Sequence, residues 1–143
     1  MKLLKINFVI ALVLFFAGNI YSQNGWGPGS KYNRMYDVNT VETIYGSVTS
    51  VDQISHGNRM SNGIHLLLNT KSGNITVHAG PSWYLDNQDI QINKNDEITV
   101  TGSRVNYEGE MVIIAKEIIK GDEVLTLRDD KGFPYWAGWR KRN

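Results

Sequence analysis

Residues 41–54, VETIYGSVTSVDQI, decide the fold class of this chain. A two-residue period and many β-branched side chains run through the whole stretch, which is the pattern of a long strand. Gly46 lies inside it, and a glycine within a strand commonly marks a bulge or a tight bend. A long strand that bends in its middle can pair with neighbours on both sides of a small barrel.

The same pattern recurs in five later segments: GIHLLLNT (63–70), NITVHAG (74–80), EITVTGSRV (97–105), MVIIAKEII (111–119) and EVLTLRD (123–129). Between the second and the third of these, PSWYLDNQ (81–88) begins with a proline, which suits the first turn of a short helix. The sequence therefore predicts an all-β chain in the order strand, strand, strand, short helix, strand, strand. One extra C-terminal strand or hairpin follows them.

This order is that of a five-stranded OB-fold barrel, in which a helix lies between the third and fourth strands. The segments NKNDEITVTGSRV (93–105) and EMVIIAKEII (110–119) resemble the fourth and fifth strands of such barrels. Over about residues 41–120 the chain is similar to the small exported bacterial OB-fold proteins. The resemblance implies the barrel and brings no catalytic motif with it.

Residues 1–22, MKLLKINFVIALVLFFAGNIYS, have the layout of a secretory signal peptide. Lys2 and Lys5 precede an apolar run from Phe8 to Ala17, and small or polar residues follow up to Ser22. The run is shorter than the roughly 20 apolar residues that a spanning helix needs, so an uncleaved anchor is the weaker alternative. We therefore expect an exported protein, periplasmic or extracellular, with no membrane span in the mature chain.

The composition excludes several kinds of chemistry. The 143 residues contain no cysteine, which removes disulfides, thiolate nucleophiles and cysteine-ligated metals. Without the two lysines of the signal segment, the 15 basic residues fall to 13 against 14 acidic ones, a net charge of −1. That charge argues against coating of nucleic acid by bulk electrostatics. The signatures of hydrolases, metalloproteases and nucleotide-binding loops are missing, so we expect no enzyme and no cofactor.

The composition also divides the chain into a signal peptide (1–22), an arm (23–40), the barrel (41–128) and a tail (129–143). Glycines and a proline exclude a regular helix or strand from the arm, which we expect to be extended. Its aromatic residues predict that it packs on the barrel. The aromatic residues of the arm and tail pack against each other or contact a protein partner: Trp26, Tyr32, Tyr36, Trp136 and Trp139.

The hairpin of the second and third strands carries the predicted binding face. If its turn pairs Lys71 with Asn74, then Leu67 lies opposite His78. His65 and His78 then become diagonal neighbours on the outward face, roughly 7–8 Å apart at the backbone. OB-folds usually bind ligands on the outer face of these strands. A one-residue slip of the pairing would turn both histidines to the other face.

Polar side chains of this face, rimmed by two arginines, form the predicted ligand site: His65, Asn69, Thr76, His78, Arg59 and Arg104. The two histidines are also a candidate metal pair, although a third ligand is not assured. Single-stranded nucleic acid is a lesser alternative, because the chain is rich in aromatic rings but the face has no basic residue.

The sequence thus favours a non-enzymatic exported binding module for a small ligand, a metal ion, a glycan or a protein partner. The alternative is a structural or assembly subunit of an envelope complex that uses its aromatic termini.

Overall fold

The computed structural model describes residues 25–55 and 61–139, with positions 138 and 139 described as backbone only. The predicted signal peptide, Arg59 and the side chain of Trp139 lie outside the described parts of the chain. The strands are β1 (Val41–Ile54), β2 (Gly63–Thr70), β3 (Gly73–Pro81), β4 (Glu97–Tyr107), β5 (Glu110–Lys120) and β6 (Glu123–Thr126). Short helices are α1 (Ser82–Leu85) and α2 (Trp136–Trp139), with 3₁₀ turns η1 (Asn33–Met35) and η2 (Val38–Thr40). Within the described part of the chain, no helix has the length and apolar character to cross a bilayer.

The long first strand serves both halves of the barrel. Its first half, residues 41–47, pairs antiparallel with β4, and its second half, residues 47–54, pairs antiparallel with β2. The sheet runs β3-β2-β1-β4-β5-β6, and a parallel pairing of β3 with β5 closes it into a ring. Five closed strands with a helix between β3 and β4 form an OB-fold, and β6 is the extra strand. The predicted fold class is confirmed.

Gly46 lies where β1 changes partners. A Cβ at this position would lie 2.4 Å from the carbonyl oxygen of Asn69, so the close approach of β2 requires a glycine. The irregularity in the pairing with β2 lies farther along, between Val48 and Ser50. The strand therefore changes direction over a few residues, with glycine supplying the space and the bulge supplying the twist.

Apolar side chains from the barrel strands fill the interior, among them Val48, Leu66, Leu68, Val77, Ile98, Val100, Ile113 and Ile118. Burial of each such side chain contributes roughly 1.5–3 kcal/mol. Tyr84 of α1 joins this core, and its hydroxyl donates a hydrogen bond to the carbonyl oxygen of Thr126 at 3.2 Å. The short helix is thereby tied to the last strand.

Large rings of the arm and tail belong to the same core. Trp26 and Trp136 are 1% and 2% exposed, and their ring centroids lie 5.9 Å apart in an edge-to-face contact. Trp136 Nε1 also donates to the carbonyl oxygen of Trp26 at 2.8 Å. Tyr32 is buried against Trp26, with ring centroids 5.2 Å apart. The chain itself covers Trp26 and Trp136, which leaves neither ring exposed for the predicted contact with a partner.

The arm reaches the barrel through turns and 3₁₀ helices rather than as an extended segment. The backbone N–H of Asn33 donates to Ser30 Oγ at 3.2 Å, and its side-chain Nδ2 donates to the carbonyl oxygens of Trp26 and Gly27, each at 2.7 Å. Further along, the backbone N–H of Asp37 donates to Ser103 Oγ on β4 at 2.9 Å. These bonds satisfy backbone groups that an extended arm would leave to water.

Arg128 is buried where the arm and tail meet. Its guanidinium carbon lies 4.8 Å from the ring centroid of Trp136 and 5.5 Å from that of Tyr36. Nη1 donates to the carbonyl oxygen of Gly132 at 3.0 Å. Desolvation by burial lowers the pKa of Arg128. The arginine thus joins three segments of the chain by stacking and one hydrogen bond.

Candidate functional site

A groove of about 1050 Å³ lies on the outer face of β2 and β3. Four parts of the chain line it: the arm, the second half of β1, the β2–β3 hairpin, and the tip of the β4–β5 hairpin. The lining includes the side chains of Lys31, Tyr32, Met35, Asp52, Ile54, His65, Leu67, Thr76, His78, Tyr107, Glu108 and Glu110. The face predicted from the alternation of β2 and β3 is therefore the floor of a groove. Its walls are formed by the arm, the second half of β1 and the tip of the β4–β5 hairpin.

The register of the β2–β3 hairpin differs from the predicted one. Thr70 pairs with Gly73, so the turn consists of Lys71 and Ser72, and the predicted pairing of Lys71 with Asn74 is wrong. Gly73 has φ +112°, a conformation that glycine adopts readily and that places it at the end of the turn. The offset is two residues in the pairing, so it preserves which side chains face outward.

His65 and His78 lie directly opposite each other rather than diagonally. Their rings stack with centroids 3.9 Å apart and planes 10° from parallel. An irregularity in the pairing between Ile64 and His65 accompanies this arrangement. Both histidines line the groove, as the alternation predicts, but they form one stacked pair.

His78 is buried rather than exposed, because the arm covers it. Tyr32 Oη lies 3.0 Å from His78 Nδ1, in a hydrogen bond whose donor depends on the imidazole tautomer. The ring of Tyr107 meets His78 edge-on, with centroids 4.9 Å apart. Desolvation by burial raises the pKa of Tyr32, because the buried site disfavours the ionised phenolate. The arm therefore covers part of the face that the sequence predicts to be polar and exposed.

The stacked geometry does not suit a metal ion shared by the two histidines. The lone pairs of imidazole nitrogens lie in the ring planes, and two stacked rings whose planes are only 10° from parallel do not direct their lone pairs to one point. Over residues 25–55 and 61–139, no group of three His, Asp or Glu side chains is placed to hold a metal.

Among the polar residues of the predicted ligand site that the structure describes, Thr76 joins the two histidines in the groove; its Oγ1 donates to Glu110 Oε1 at 3.3 Å. Asn69 is exposed near the hairpin turn, opposite Asn74, and does not line the groove. Arg104 does not line it either, because its guanidinium binds Glu42 through two hydrogen bonds. The arginine rim predicted from the sequence is therefore wrong at Arg104.

Sequence reasoning missed the carboxylates of the groove: Asp52, Glu108 and Glu110. Asp52 lies directly opposite His65 in the β1–β2 pairing, which a correct register of those strands would have revealed. Glu108 occupies the tip of the β4–β5 hairpin with φ +50°, beside Gly109 at φ +86°. Asp52 comes from β1, whereas Glu108 and Glu110 come from the β4–β5 hairpin, so no local sequence pattern indicates that the three carboxylates meet.

The chain matches one protein-family model, described as the MamS/MamX magnetosome protein family, over residues 40–125. This chain belongs to the MamS/MamX magnetosome protein family. The matched range begins one residue before β1 and ends in β6, so the family region of this MamS/MamX protein coincides with the barrel. The histidine pair and all three carboxylates of the groove fall inside it.

None of the curated proteins matches this MamS/MamX-family chain. Among solved structures, it is similar to the crystal structure of the Stn1–Ten1 complex from S. pombe, with 16% identity and a TM-score of 0.41. The similarity covers 81% of this chain and 87% of that one.

Proposed function

We propose that this MamS/MamX-family protein is a non-enzymatic binding module whose ligand occupies the groove on the outer face of β2 and β3. The groove carries the proposal. Its volume of about 1050 Å³ lies just above the usual range for ligand sites, roughly 300–1,000 Å³. It also lies on the face that OB barrels use for their ligands. In this proposal the arm (23–40) and tail (129–143) are supports of the barrel (41–128).

The family name and the histidine geometry both support a binding role over catalysis. The family is described as one of magnetosome proteins, which favours a part in an assembly over a metabolic reaction. His78 is 3% exposed and stacked on His65, so its ring is poorly placed to exchange protons with a substrate. We therefore favour a protein partner over a small-molecule substrate.

Single-stranded nucleic acid receives less support from the charges of the groove. A nucleic-acid track needs basic side chains along the backbone path in addition to rings for stacking. The described lining has three carboxylates, Asp52, Glu108 and Glu110, and one cation, Lys31. Phosphates would meet net negative charge there, so the rings alone do not make the groove a nucleic-acid site.

The proposal is tested by mapping amide chemical shifts of the purified protein with a panel of probes. The panel contains an arginine–glycine peptide, a glutamate–glycine peptide, oligothymidylate and a chitin oligosaccharide. We expect at least one probe to shift the amides of Leu67, Thr76 and His78 while Asp122 and Val124, on the β5–β6 hairpin, stay unmoved. Shifts confined to other surfaces, or no shift with any probe, would contradict the proposal.

A groove-filling variant gives the matched control. Leu67 is half-buried and lines the groove, whereas Val124 is exposed on β6 and does not. Leu67→Trp should block the probe that shifts the groove amides, and Val124→Trp should leave its binding unchanged. Equal effects of the two substitutions would place the probe outside the groove.

A further inference from the structure

We propose that the ligand of the groove is a polypeptide segment carrying arginine or lysine side chains. Carboxylates at the rim of the groove bind the charged groups of these side chains. Aromatic rings on its floor contact the planar guanidinium groups and the aliphatic stems. This inference rests on the proposed function, because it names the class of ligand for the same groove.

The side chains that line the groove carry more negative than positive charge. Asp52, Glu108 and Glu110 line it, and Lys31 is the single cation among the described lining residues. None of these three carboxylates forms an ion pair with another residue of the described ranges. Carboxylates converging on a concave surface focus their field there, so the groove attracts cations more strongly than scattered surface charges would.

Several carboxylates elsewhere are neutralised within the chain. Glu42 binds Arg104, Asp96 Oδ2 lies 2.9 Å from Lys120 Nζ, and Asp130 pairs with Lys116. The barrel therefore has basic side chains available for its acids, but they serve other surfaces. The negative charge of the groove is left for a ligand.

Two of the groove carboxylates are held in place by neighbouring hydroxyls. Ser50 Oγ donates to Asp52 Oδ2 at 3.0 Å, and Thr76 Oγ1 donates to Glu110 Oε1 at 3.3 Å. A carboxylate accepts about four hydrogen bonds, so each group keeps capacity for an incoming N–H. A positioned carboxylate loses less side-chain freedom when it binds, which favours affinity.

Aromatic rings on the floor of the groove offer a second type of contact to the ligand. Tyr107 is half-buried beside the stacked histidines, and Tyr32 covers His78. A guanidinium group stacks on aromatic rings while it donates to carboxylates at its edge. The chain already uses the stacking part of this chemistry in its own core, where Arg128 lies against Trp136 and Tyr36.

The extent of the groove favours a polypeptide over a small cation. The carboxylates come from β1, from the hairpin tip and from the start of β5, with Met35, Ile54 and Leu67 also in the lining. Apolar positions among the acids accommodate the aliphatic stems of arginine and lysine, whose charged ends then reach the rim. A segment with several spaced cations can use all these contacts at once.

The test measures fluorescence anisotropy of a labelled peptide of alternating glycine and arginine, with the protein at two salt concentrations. We expect saturable binding that weakens with salt and is about tenfold weaker for the double variant Glu108→Gln/Glu110→Gln. The control Asp122→Asn/Glu123→Gln removes the same charge from the β5–β6 hairpin and should stay within twofold of the wild type. All four residues are exposed, so both variants should fold, which thermal unfolding would verify.

Three results would overturn the inference. Equal weakening by the two double variants would mean attraction to overall charge rather than to the groove. Tighter binding of a glutamate–glycine peptide than of the arginine peptide would reverse the ligand class. Binding of spermidine as tight as that of the peptide would point to a small polyamine.

The failure of this inference is distinguishable from failure of the proposed function. If the arginine peptide leaves the groove amides unmoved but another probe shifts them and Leu67→Trp blocks it, only the ligand class is wrong. If no probe reaches the groove, both proposals fail together.

Discussion

Tyr32 connects the arm to the floor of the groove. Its ring packs edge-on against Trp26 and Tyr107, and its hydroxyl shares a hydrogen bond with His78. A phenol is suited to this position because one end of the ring is apolar and the other is polar. The same burial that suits the neutral phenol makes its ionised form costly.

The stability of the protein should therefore fall at alkaline pH. Desolvation by burial raises the pKa of Tyr32, Tyr36, Tyr84 and Tyr107. A group whose pKa is raised by folding contributes fully below its unfolded pKa, about 10 for tyrosine. That contribution is lost as the pH rises through the folded value. Urea unfolding between pH 8 and 11.5 should show a free energy of unfolding that declines from about pH 10 upward.

The variant Tyr32→Phe tests how much of the loss of stability at alkaline pH is due to Tyr32. It should lower the free energy of unfolding at pH 8 by about 1 kcal/mol, because His78 loses a hydrogen bond. Its alkaline decline should be shallower than that of the wild type. The exposed Tyr135→Phe should leave stability at pH 8 unchanged. An alkaline decline as steep in Tyr32→Phe as in the wild type would show that Tyr32 does not contribute to it.

Strand alternation in the sequence identified residues on the floor of the groove but not the carboxylates at its rim. Strand alternation places His65, Thr76 and His78 on one face because the period of a strand fixes facing wherever the strand begins. Asp52 and Glu110 were missed because their meeting depends on pairings of β1 with β2 and of β3 with β5. Arg128 was missed because a charged residue beside a turn is usually solvated.

At the scale of elements, the tail is part of the barrel core rather than an appendage. We expect Trp136→Ala to lower the free energy of unfolding by about 4 kcal/mol, because it removes a fully buried ring and the stacking partner of Arg128. The matched control is Phe133→Ala in the same tail. Phe133 is 50% exposed, so this substitution should change the free energy of unfolding by less than about 0.5 kcal/mol. Chemical denaturation measures both.

Comparable losses for the two tail variants would mean that the tail contributes only general packing. A stable Trp136→Ala variant with unchanged near-UV circular dichroism would show that the arm does not depend on the tail. In that case the aromatic termini would again be candidates for contact with a partner.

The strands were predictable as elements, whereas one hairpin register was not. The predicted span of β1 is correct to the residue, and the spans of β2 and β3 are correct within one residue. Alternation decides which face is buried, but it leaves the pairing free to move by two residues. The turn at Lys71 and Ser72 and the irregularity at Ile64 decide between these registers, and both depend on backbone geometry.

At the scale of the whole molecule, the barrel was predictable because the order of elements is distinctive. A single short helix between the third and fourth strands, together with a long first strand broken by glycine, restricts the topology to few choices. The course of the arm was not predictable, because glycine and proline exclude regular structure without specifying which turn replaces it.

The N-terminal segment predicts that the protein is exported. When the full chain is expressed in a secreting bacterium, we expect a periplasmic or secreted product whose mass corresponds to cleavage near Ser22. A charge in the apolar run, Leu14→Arg, should block export, because the run must be apolar to act as a signal. The substitution Leu14→Ile keeps the run apolar and serves as control. An uncleaved, membrane-bound product of the wild-type chain would instead indicate an anchor.

The hydrogen bond from Trp136 Nε1 to the carbonyl oxygen of Trp26 joins residues that are 110 positions apart in the chain. Trp26 is made early in synthesis, yet the residue that covers it leaves the ribosome only after every strand of the barrel. Contacts between such distant positions form slowly, because a long loop must close before they repay its entropy. The arm therefore remains without its final cover during synthesis. The contact between Trp26 and Trp136 can therefore form only after the last strand of the barrel has been made.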